Sequence, residues 1–177
     1  MKKKVVFDIE IYKDYSLFSF SDLDGTRFVE LEMFEGHPLD RAKLKAVLKT
    51  YTIISFNGIN FDLLITFAAI SGASCQRLKD ICDSIIANGD PHWKTNQKFD
   101  INEFPVDHID IIEPSPGVAV SLKLYGGRLN APKLQDLPIE PSASIRADER
   151  NDLRLYCRND LATTAMLYKA IKNEVDI

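Results

Sequence analysis

Long apolar runs, metal-type cysteine spacing and an excess of positive charge are all absent from this chain of 177 residues. No apolar run approaches the roughly 20 residues that a membrane-spanning helix needs. Asp8 interrupts the apolar residues behind the basic start, so no signal peptide is predicted. The three cysteines have no zinc-site spacing, and on one helix Cys75 and Cys82 would lie about 10 Å apart, too far for a disulfide. We therefore expect reduced thiols and a cytoplasmic protein.

The charge balance argues against one class of binding protein. A net charge of −4 supplies no overall attraction to nucleic acid, which argues against a tight, non-specific nucleic-acid binder. It argues less against an enzyme that holds an anionic substrate through metal ions. The three histidines, His37, His92 and His108, lack metal-ligand spacing. Hydrophobic residues at 45% and charged residues at 27% are ordinary for a globular protein, and we expect a single domain over residues 1–177.

Four carboxylates stand at positions where a folded core should not tolerate them. Asp8 and Glu10 interrupt the apolar run Val5–Ile11, which is typical of a buried strand. Asp62 interrupts the start of an apolar helix, and Asp160 lies near the end of the chain. An unpaired buried carboxylate is strongly unfavourable, so such groups are usually paired or bind metal. Because no obvious lysine or arginine partner accompanies these acids, the pattern points to divalent cations.

Strand patterns and helix patterns follow one another along the chain without repeats. The predicted strands are Lys4–Ile11, Tyr15–Phe20, Arg27–Met33, Thr52–Phe56 and Val106–Ile112. The predicted helices are Leu39–Lys49, Phe61–Ile70, Gln76–Ala87, a short one at Val118–Leu124, and a long one from about Ala147 to Asn173. The polar stretch Asp90–Pro105 predicts an exposed loop. This order implies an α/β fold with a mixed central sheet, a three-strand meander plus parallel strands, flanked by helices.

The spacing of the acids predicts which of them meet. Residues two apart on a strand face the same side, so Asp8 and Glu10 should point together. Tyr156 and Asp160 are four apart on the last helix and therefore adjacent on one face. Asp152 shares that face but lies about 12 Å from Asp160 along the axis, so it should not share the same ion. A second stripe of this helix is interpreted as a solvated basic face, formed by Arg150, Arg154 and Arg158.

Three short motifs stand in order along the chain. They are Phe7-Asp8-Ile9-Glu10, Asn57-Gly58-Ile59-Asn60-Phe61-Asp62 and Tyr156-Cys157-Arg158-Asn159-Asp160. Together they resemble the three exonuclease motifs of the DEDD superfamily in its Tyr-bearing branch: D-x-E, N-x(2–3)-[FY]-D and Y-x(3)-D. The chain looks most similar to the proofreading exonuclease domains of phage family B DNA polymerases. The resemblance spans nearly the whole chain and implies an RNase H-like fold.

The resemblance also implies roles for the four acids and for one tyrosine. Asp8, Glu10, Asp62 and Asp160 would be catalytic residues that bind two divalent metal ions, Mg²⁺ or Mn²⁺. Asp8 would bridge the two ions, and Asp62 would act on the second ion through water. Tyr156 would orient the attacking water, because a phenol with a free pKa of about 10 is a poor base unaided.

Three further residues would meet the 3′-terminal nucleotides. By the resemblance, Asn57 and Phe61 contact them, Phe61 by stacking. Ile11 follows Glu10 at a position where the family usually carries Thr or Ser, so a polar contact to the terminal nucleotide is expected to be missing. Taken singly, several of these motif residues have ordinary structural interpretations: a helix N-cap for Asp62, a turn for Asn57, and core packing for Phe61 and Tyr156. Their joint occurrence favours the functional interpretation.

The function that follows is a 3′–5′ exonuclease that releases nucleoside 5′-monophosphates from single-stranded DNA, in proofreading or end processing of phage-type DNA replication. An RNA or oligoribonucleotide exonuclease on the same scaffold is an alternative, because a contact to the 2′-hydroxyl cannot be read from a sequence. A non-catalytic exonuclease-like module of a polymerase is another. Expected partners are a DNA 3′ end and a DNA polymerase domain or subunit, in the host cytoplasm if the chain is phage-encoded. A stand-alone enzyme and a part of a longer polymerase both stay open.

Overall fold

The computed structural model describes residues 2–112, Leu122 and residues 135–175. The strands in this part of the chain are β1 (Lys4–Ile11), β2 (Tyr15–Asp22), β3 (Phe28–Phe34), β4 (Thr52–Ser55) and β5 (His108–Asp110). The helices are α1 (Arg41–Thr50), α2 (Asp62–Ile70), α3 (Cys75–Asn88), α4 (His92–Phe99) and α5 (Arg150–Val175).

The five strands form one mixed sheet in the order β3-β2-β1-β4-β5. β1, β2 and β3 form an antiparallel meander, whereas β4 lies parallel to β1 and β5 lies parallel to β4. The turn between β2 and β3 contains Gly25 at a φ of 65°, a left-handed conformation that glycine adopts without strain. The predicted α/β class with a mixed central sheet is confirmed. β1, which carries two of the four acids, lies at the centre of this sheet.

Helices cover both faces of the sheet because β1 and β2 are apolar on both sides. On one face, α1, α2 and α3 pack with Phe7, Ile9 and Phe18 into the largest apolar core. On the other face, α5 packs against β1, β2 and β4 in two smaller cores, one around Val6 and one around Leu17. The acids of β1 therefore lie on the α5 side of the sheet, since Asp8 and Glu10 alternate with Phe7 and Ile9.

The arginine stripe of α5 is not the solvated basic face that the sequence predicted. The Arg158 guanidinium makes a bidentate contact with Glu30 at 2.6 and 2.9 Å, and its carbon lies 4.5 Å from the centre of the Phe28 ring. Arg154 donates to Glu32 at 2.7 Å.

Arg150 belongs to the same stripe and stacks over the ring of Phe34, the last residue of β3. The stripe anchors α5 to β3, because β3 offers carboxylates and aromatic rings on that side.

The prediction of an exposed loop over residues 90–105 is wrong for the central part of that range. That part contains α4, which begins after Pro91 and ends at Asp100 in a left-handed conformation with a φ of 53°. Only Thr95 of this helix is buried, so the sequence shows almost no apolar stripe. A hydrogen bond from Lys94 to Asp90 at 2.7 Å, one turn earlier, supports the first turn.

Other boundaries differ less from the predictions. β5 is shorter than the predicted strand Val106–Ile112, and the long helix begins at Arg150 rather than near Ala147. The predicted short helix Val118–Leu124 falls outside the described residues except for Leu122. All three cysteines are free. None of the described helices combines the length and the apolar character that crossing a membrane would take.

Candidate active site

Asp8 and Glu10 lie at the carboxyl-terminal half of β1 and face α5. Asp8 is half-buried and Glu10 is only 8% exposed. The register with β2 places Asp8 opposite Ser19 and Glu10 opposite Leu17, on the same side of the sheet. No described residue donates a hydrogen bond to Glu10 or forms an ion pair with it. The Glu10 side chain is mostly buried, yet its carboxylate oxygens stay within reach of solvent and are open to a ligand.

Asp62 is the first residue of α2 and is 5% exposed. The preceding residue, Phe61, occupies the N-cap position without a side-chain cap, so the N-cap interpretation of Asp62 is wrong. The N-terminus of a helix favours a negative charge nearby. The chain reaches Asp62 from the end of β4 through residues 56–61, which we call the entry loop. The charge of Asp62 raises the pKa values of both acids of β1, but neither Asp62 nor Asp160 belongs to the group of possible ligands within 4.8 Å that Asp8 and Glu10 form with Cys157.

Asp160 and Tyr156 approach the same point from α5, where both are half-buried. The charge of Asp160 acts on Asp8, on Glu10 and on Tyr156. Burial raises the pKa of Tyr156, and the charges of the three acids and a hydrogen bond with Asp160 raise it further. The Tyr156 hydroxyl therefore stays protonated at neutral pH and serves as a hydrogen-bond donor.

The pKa values of the acids follow from their burial and from one another. Burial raises the pKa of Asp8 well above its ordinary value, and the charges of Asp62 and Asp160 raise it further. Burial also raises the pKa of Glu10 well above its ordinary value, and the charges of the other three acids raise it further. Burial raises the pKa of Asp62 to about 7, and the charge of Asp110 contributes. Ionising this group of acids is costly without a counter-charge, and a bound cation would supply one.

Cys157 belongs to the site, although the sequence analysis gave it no role. Its thiol is fully buried and donates to Oδ2 of Asp8 at 3.4 Å. One possible ligand atom from each of Asp8, Glu10 and Cys157 lies within 4.8 Å of the other two. Burial and the charges of Asp8 and Glu10 raise the pKa of Cys157 well above its ordinary value, so the thiol is a donor rather than a thiolate. Its position directly after Tyr156 in the third motif was the only signal in the sequence.

The three predicted substrate residues occupy different surroundings. Asn57 lies in the entry loop at a φ of 61°, and its side chain accepts a hydrogen bond from Asn60 at 3.0 Å. Phe61 is half-buried and packs against the large apolar core. Ile11 ends β1, two residues beyond Ile9 on the same strand, and also packs against that core. Asn57 and Phe61 are thus joined by one loop that leads to Asp62, whereas Ile11 lies on the opposite side of the sheet from Glu10.

A fifth carboxylate, which sequence reasoning missed, lies beside the entry loop. Asp110 ends β5, is 6% exposed and accepts hydrogen bonds from the backbone of Asn57 at 2.7 Å and of Ile59 at 3.0 Å. Its sequence signal was the same as that of Asp8, an acid within an apolar run, here His108-Ile109-Asp110-Ile111-Ile112. It went unnoticed because none of the three motifs includes it.

Comparisons with protein-family models, with curated proteins and with solved structures found no significant match to this chain. The function of the chain is therefore inferred from its motifs and from the geometry of the site.

Proposed function

We propose that this protein is a metal-dependent 3′–5′ exonuclease with an RNase H-like fold. It would hydrolyse the terminal phosphodiester bond of single-stranded DNA and release nucleoside 5′-monophosphates. The observation that carries the proposal is that the three motifs act on one another: Asp8 and Glu10 lie with Cys157 within 4.8 Å of one another, and the charges of Asp62 and Asp160 raise the pKa values of both acids. The sheet, an antiparallel meander followed by two parallel strands, agrees with the fold that the proposal requires.

The donor set suits hard divalent cations. Asp8, Glu10, Asp62 and Asp160 would hold two Mg²⁺ or Mn²⁺ ions, which prefer carboxylate oxygens. The unpartnered carboxylate of Glu10 and the raised pKa values of the acids are the features of this chain that fit such ions. Bound there, the ions would acidify a water molecule and neutralise charge on the leaving oxygen.

The remaining residues would bind and orient. The Tyr156 hydroxyl, whose proton is donated to Asp160, would orient the attacking water by accepting a hydrogen bond from it. The thiol of Cys157 would hold the carboxylate of Asp8 in one orientation. Asn57 and Phe61, which precede Asp62 on the entry loop, would contact the terminal nucleotides. The biological setting that we propose is proofreading or end processing in phage-type DNA replication, with a DNA polymerase as partner.

A non-catalytic module is the less favoured interpretation. A scaffold that had lost catalysis would not need to keep Asp8, Glu10 and Asp62 in surroundings that raise their pKa values. Replacing such a group by glutamine or leucine would remove its desolvation cost.

Digestion of labelled oligomers tests the proposal. Matched single-stranded DNA and RNA oligomers, each labelled at the 3′ or the 5′ end, are incubated with Mg²⁺, Mn²⁺ or EDTA. A 3′–5′ exonuclease releases the 3′ label at once as a mononucleotide and shortens the 5′-labelled strand stepwise, and only with metal. Faster digestion of the RNA oligomer than of the DNA oligomer would favour the alternative function, an RNA exonuclease. Absence of any metal-dependent release, or full activity in excess EDTA, would contradict it.

A further inference from the structure

Asp110 is a buried acid whose surroundings differ from those of the four acids in the site. Its Oδ1 accepts hydrogen bonds from the backbone N–H of Asn57 at 2.7 Å and of Ile112 at 3.2 Å. Its Oδ2 accepts one from the N–H of Ile59 at 3.0 Å. Charge-assisted bonds of this kind are stronger than bonds between neutral groups. Three backbone donors therefore satisfy this carboxylate without any cation.

The two loop donors, the N–H groups of Asn57 and Ile59, lie in the segment that leads from β4 to Asp62. Asn57 has a left-handed backbone, which asparagine adopts more readily than other non-glycine residues, and its N–H bond to Asp110 holds the loop in this turn. At Gly58 an added Cβ would collide with the hydroxyl of Ser55, so the loop runs tightly over the end of β4. The carbonyl of Gly58 in turn accepts from the N–H of Leu63, in the first turn of α2, at 2.9 Å.

These contacts form a continuous connection between β5 and the start of α2. Asp110 fixes two N–H groups of the entry loop, and the loop fixes the first turn of α2. The hydrogen bonds of the Asn57 and Ile59 N–H groups to β5 both end on this one carboxylate. Displacement of the loop would move Asn57, Phe61 and Asp62 together, because they lie within six consecutive residues of the chain.

We propose that Asp110 is a positioning residue of the exonuclease site: its carboxylate clamps the entry loop and so orients Asn57, Phe61 and Asp62. This inference rests on the proposed function, which it deepens by one residue. Asp110 is a poorer candidate for a metal ligand than Glu10, because its two oxygens already accept three hydrogen bonds. Glu10, with none among the described residues, is the contrasting case.

The variant Asp110→Asn tests the clamp. An amide has the size of the carboxylate, but its NH₂ group must then face one of the loop N–H donors, so that one bond is lost. The matched control is Asp107→Asn, the same change three residues earlier, at an exposed acid whose side chain accepts from Thr52 at 2.8 Å. Three quantities are measured for the parent and both variants: amide hydrogen exchange at residues 57 and 59, Mn²⁺ affinity, and kcat and KM on a single-stranded DNA oligomer.

We expect the parent to protect both loop amides from exchange, and Asp110→Asn to lose that protection while the amides of β1 keep theirs. Mn²⁺ affinity or kcat should fall by roughly 10- to 100-fold, the range seen when a residue supporting a metal ligand is removed. KM should change by less than kcat. Asp107→Asn should match the parent in all three quantities.

The outcomes separate the clamp from the proposed function. Rapid exchange of residues 57 and 59 in the parent would overturn the clamp without any variant, even if Asp110→Asn did not fold. Loss of loop protection with unchanged Mn²⁺ affinity and unchanged kcat would overturn the positioning role. A parent that protects both amides but neither binds Mn²⁺ nor digests DNA would instead contradict the proposed function and leave Asp110 as a purely structural clamp.

Discussion

Glu10 and Asp110 are both buried carboxylates, yet they differ in what surrounds them. Asp110 accepts three backbone hydrogen bonds, whereas no described residue donates one to Glu10. Asp8 lies between these cases, since it accepts one weak bond from the Cys157 thiol. A folded protein tolerates a buried carboxylate when protein groups donate hydrogen bonds to it. A carboxylate that binds a ligand must instead keep lone pairs free of protein donors. The number of satisfied lone pairs thus separates acids that hold the structure from acids available to a ligand.

The pH dependence of stability should report on Asp62. Its pKa is about 7 in the folded state and about 4 in the unfolded chain. Between these values the folded state binds more protons, so metal-free stability should fall as the pH rises from about 4 to 7. Asp62→Asn removes this titration. In urea unfolding with EDTA, the variant should be more stable than the parent at pH 7.5 by on the order of a few kcal/mol, with a smaller difference at pH 4.5. A variant less stable than the parent at pH 7.5 would show that the Asp62 carboxylate stabilises the fold.

Tyr156→Phe separates catalysis from metal binding. The ring stays in place and only the hydroxyl is lost, so Mn²⁺ and DNA affinity should match those of the parent. Single-turnover hydrolysis should slow by roughly 10- to 1,000-fold, as expected for one positioned catalytic group. The control is Tyr168→Phe, which removes a hydroxyl from the same helix at a residue that contacts Lys4 instead of the acids. Parent-like single-turnover rates in Tyr156→Phe would remove the tyrosine from the mechanism.

α5 carries two of the motif residues, and its position on the sheet depends on β3. The contacts of Arg154 and Arg158 with Glu32 and Glu30 lie on the same helix as Asp160. The Arg158 side chain is 39% exposed and that of Glu30 is 15% exposed, so the pair is only partly screened by water. Bidentate geometry and the Phe28 ring add to the pair. We infer that β3, at the edge of the sheet, holds in place the helix that presents Asp160 and Tyr156.

Arg158→Ala should therefore cost stability. We expect a loss of about 1–2 kcal/mol in urea unfolding, above the usual value for a surface ion pair because the contact is bidentate and stacked. Arg146→Ala is the matched control, since its side chain is 70% exposed and pairs with Asp148 locally; its effect on stability should be much smaller than that of Arg158→Ala. In a double-mutant cycle, Arg158→Ala and Glu30→Ala should be non-additive. Additive losses would mean that the pair does not hold α5.

The elements that the sequence predicted well are those with a clear apolar pattern. β1, α2 and α5 lie close to their predicted positions, because burial of one or both faces gives their apolar residues a recognisable spacing. α4 was missed because Thr95 is its only buried residue, and hydrogen bonds across one turn leave no apolar stripe. The interpretation of the arginine stripe was wrong because its partners lie on β3, more than a hundred residues earlier in the chain. The sequence does not show which side of β3 faces α5.

The same reasoning applies to the site. Asp8, Glu10, Asp62 and Asp160 could be picked from the sequence because each breaks an apolar run and belongs to a motif. The contributions of Asp110 and Cys157 depend on contacts across the fold, at separations of 51 and 149 residues. Such separations carry no local signal. The ligand candidates were therefore predictable, whereas the residues that orient them were not.

Across the whole chain, a net charge of −4 coexists with four acids, two of which have their pKa values raised by the charges of the others. Their repulsion destabilises the metal-free fold, so an ion that binds only the folded state should stabilise it. At about a hundredfold excess over Kd, Mn²⁺ should raise the midpoint of thermal unfolding by roughly 5 to 10 °C. The double variant Asp8→Asn/Glu10→Gln should unfold at a higher temperature than the parent in EDTA and respond little to Mn²⁺.

The matched control neutralises two acids elsewhere, in Asp80→Asn/Asp83→Asn on the exposed side of α3. This variant should keep the full response to Mn²⁺, because its acids lie on the surface and away from the cluster. The measurement needs no substrate, so it tests the metal site even where the nucleotide preference is still open. An equal Mn²⁺ response in both double variants would mean that the ion binds at the protein surface in general, and the carboxylates of β1 would then have to be explained without a metal.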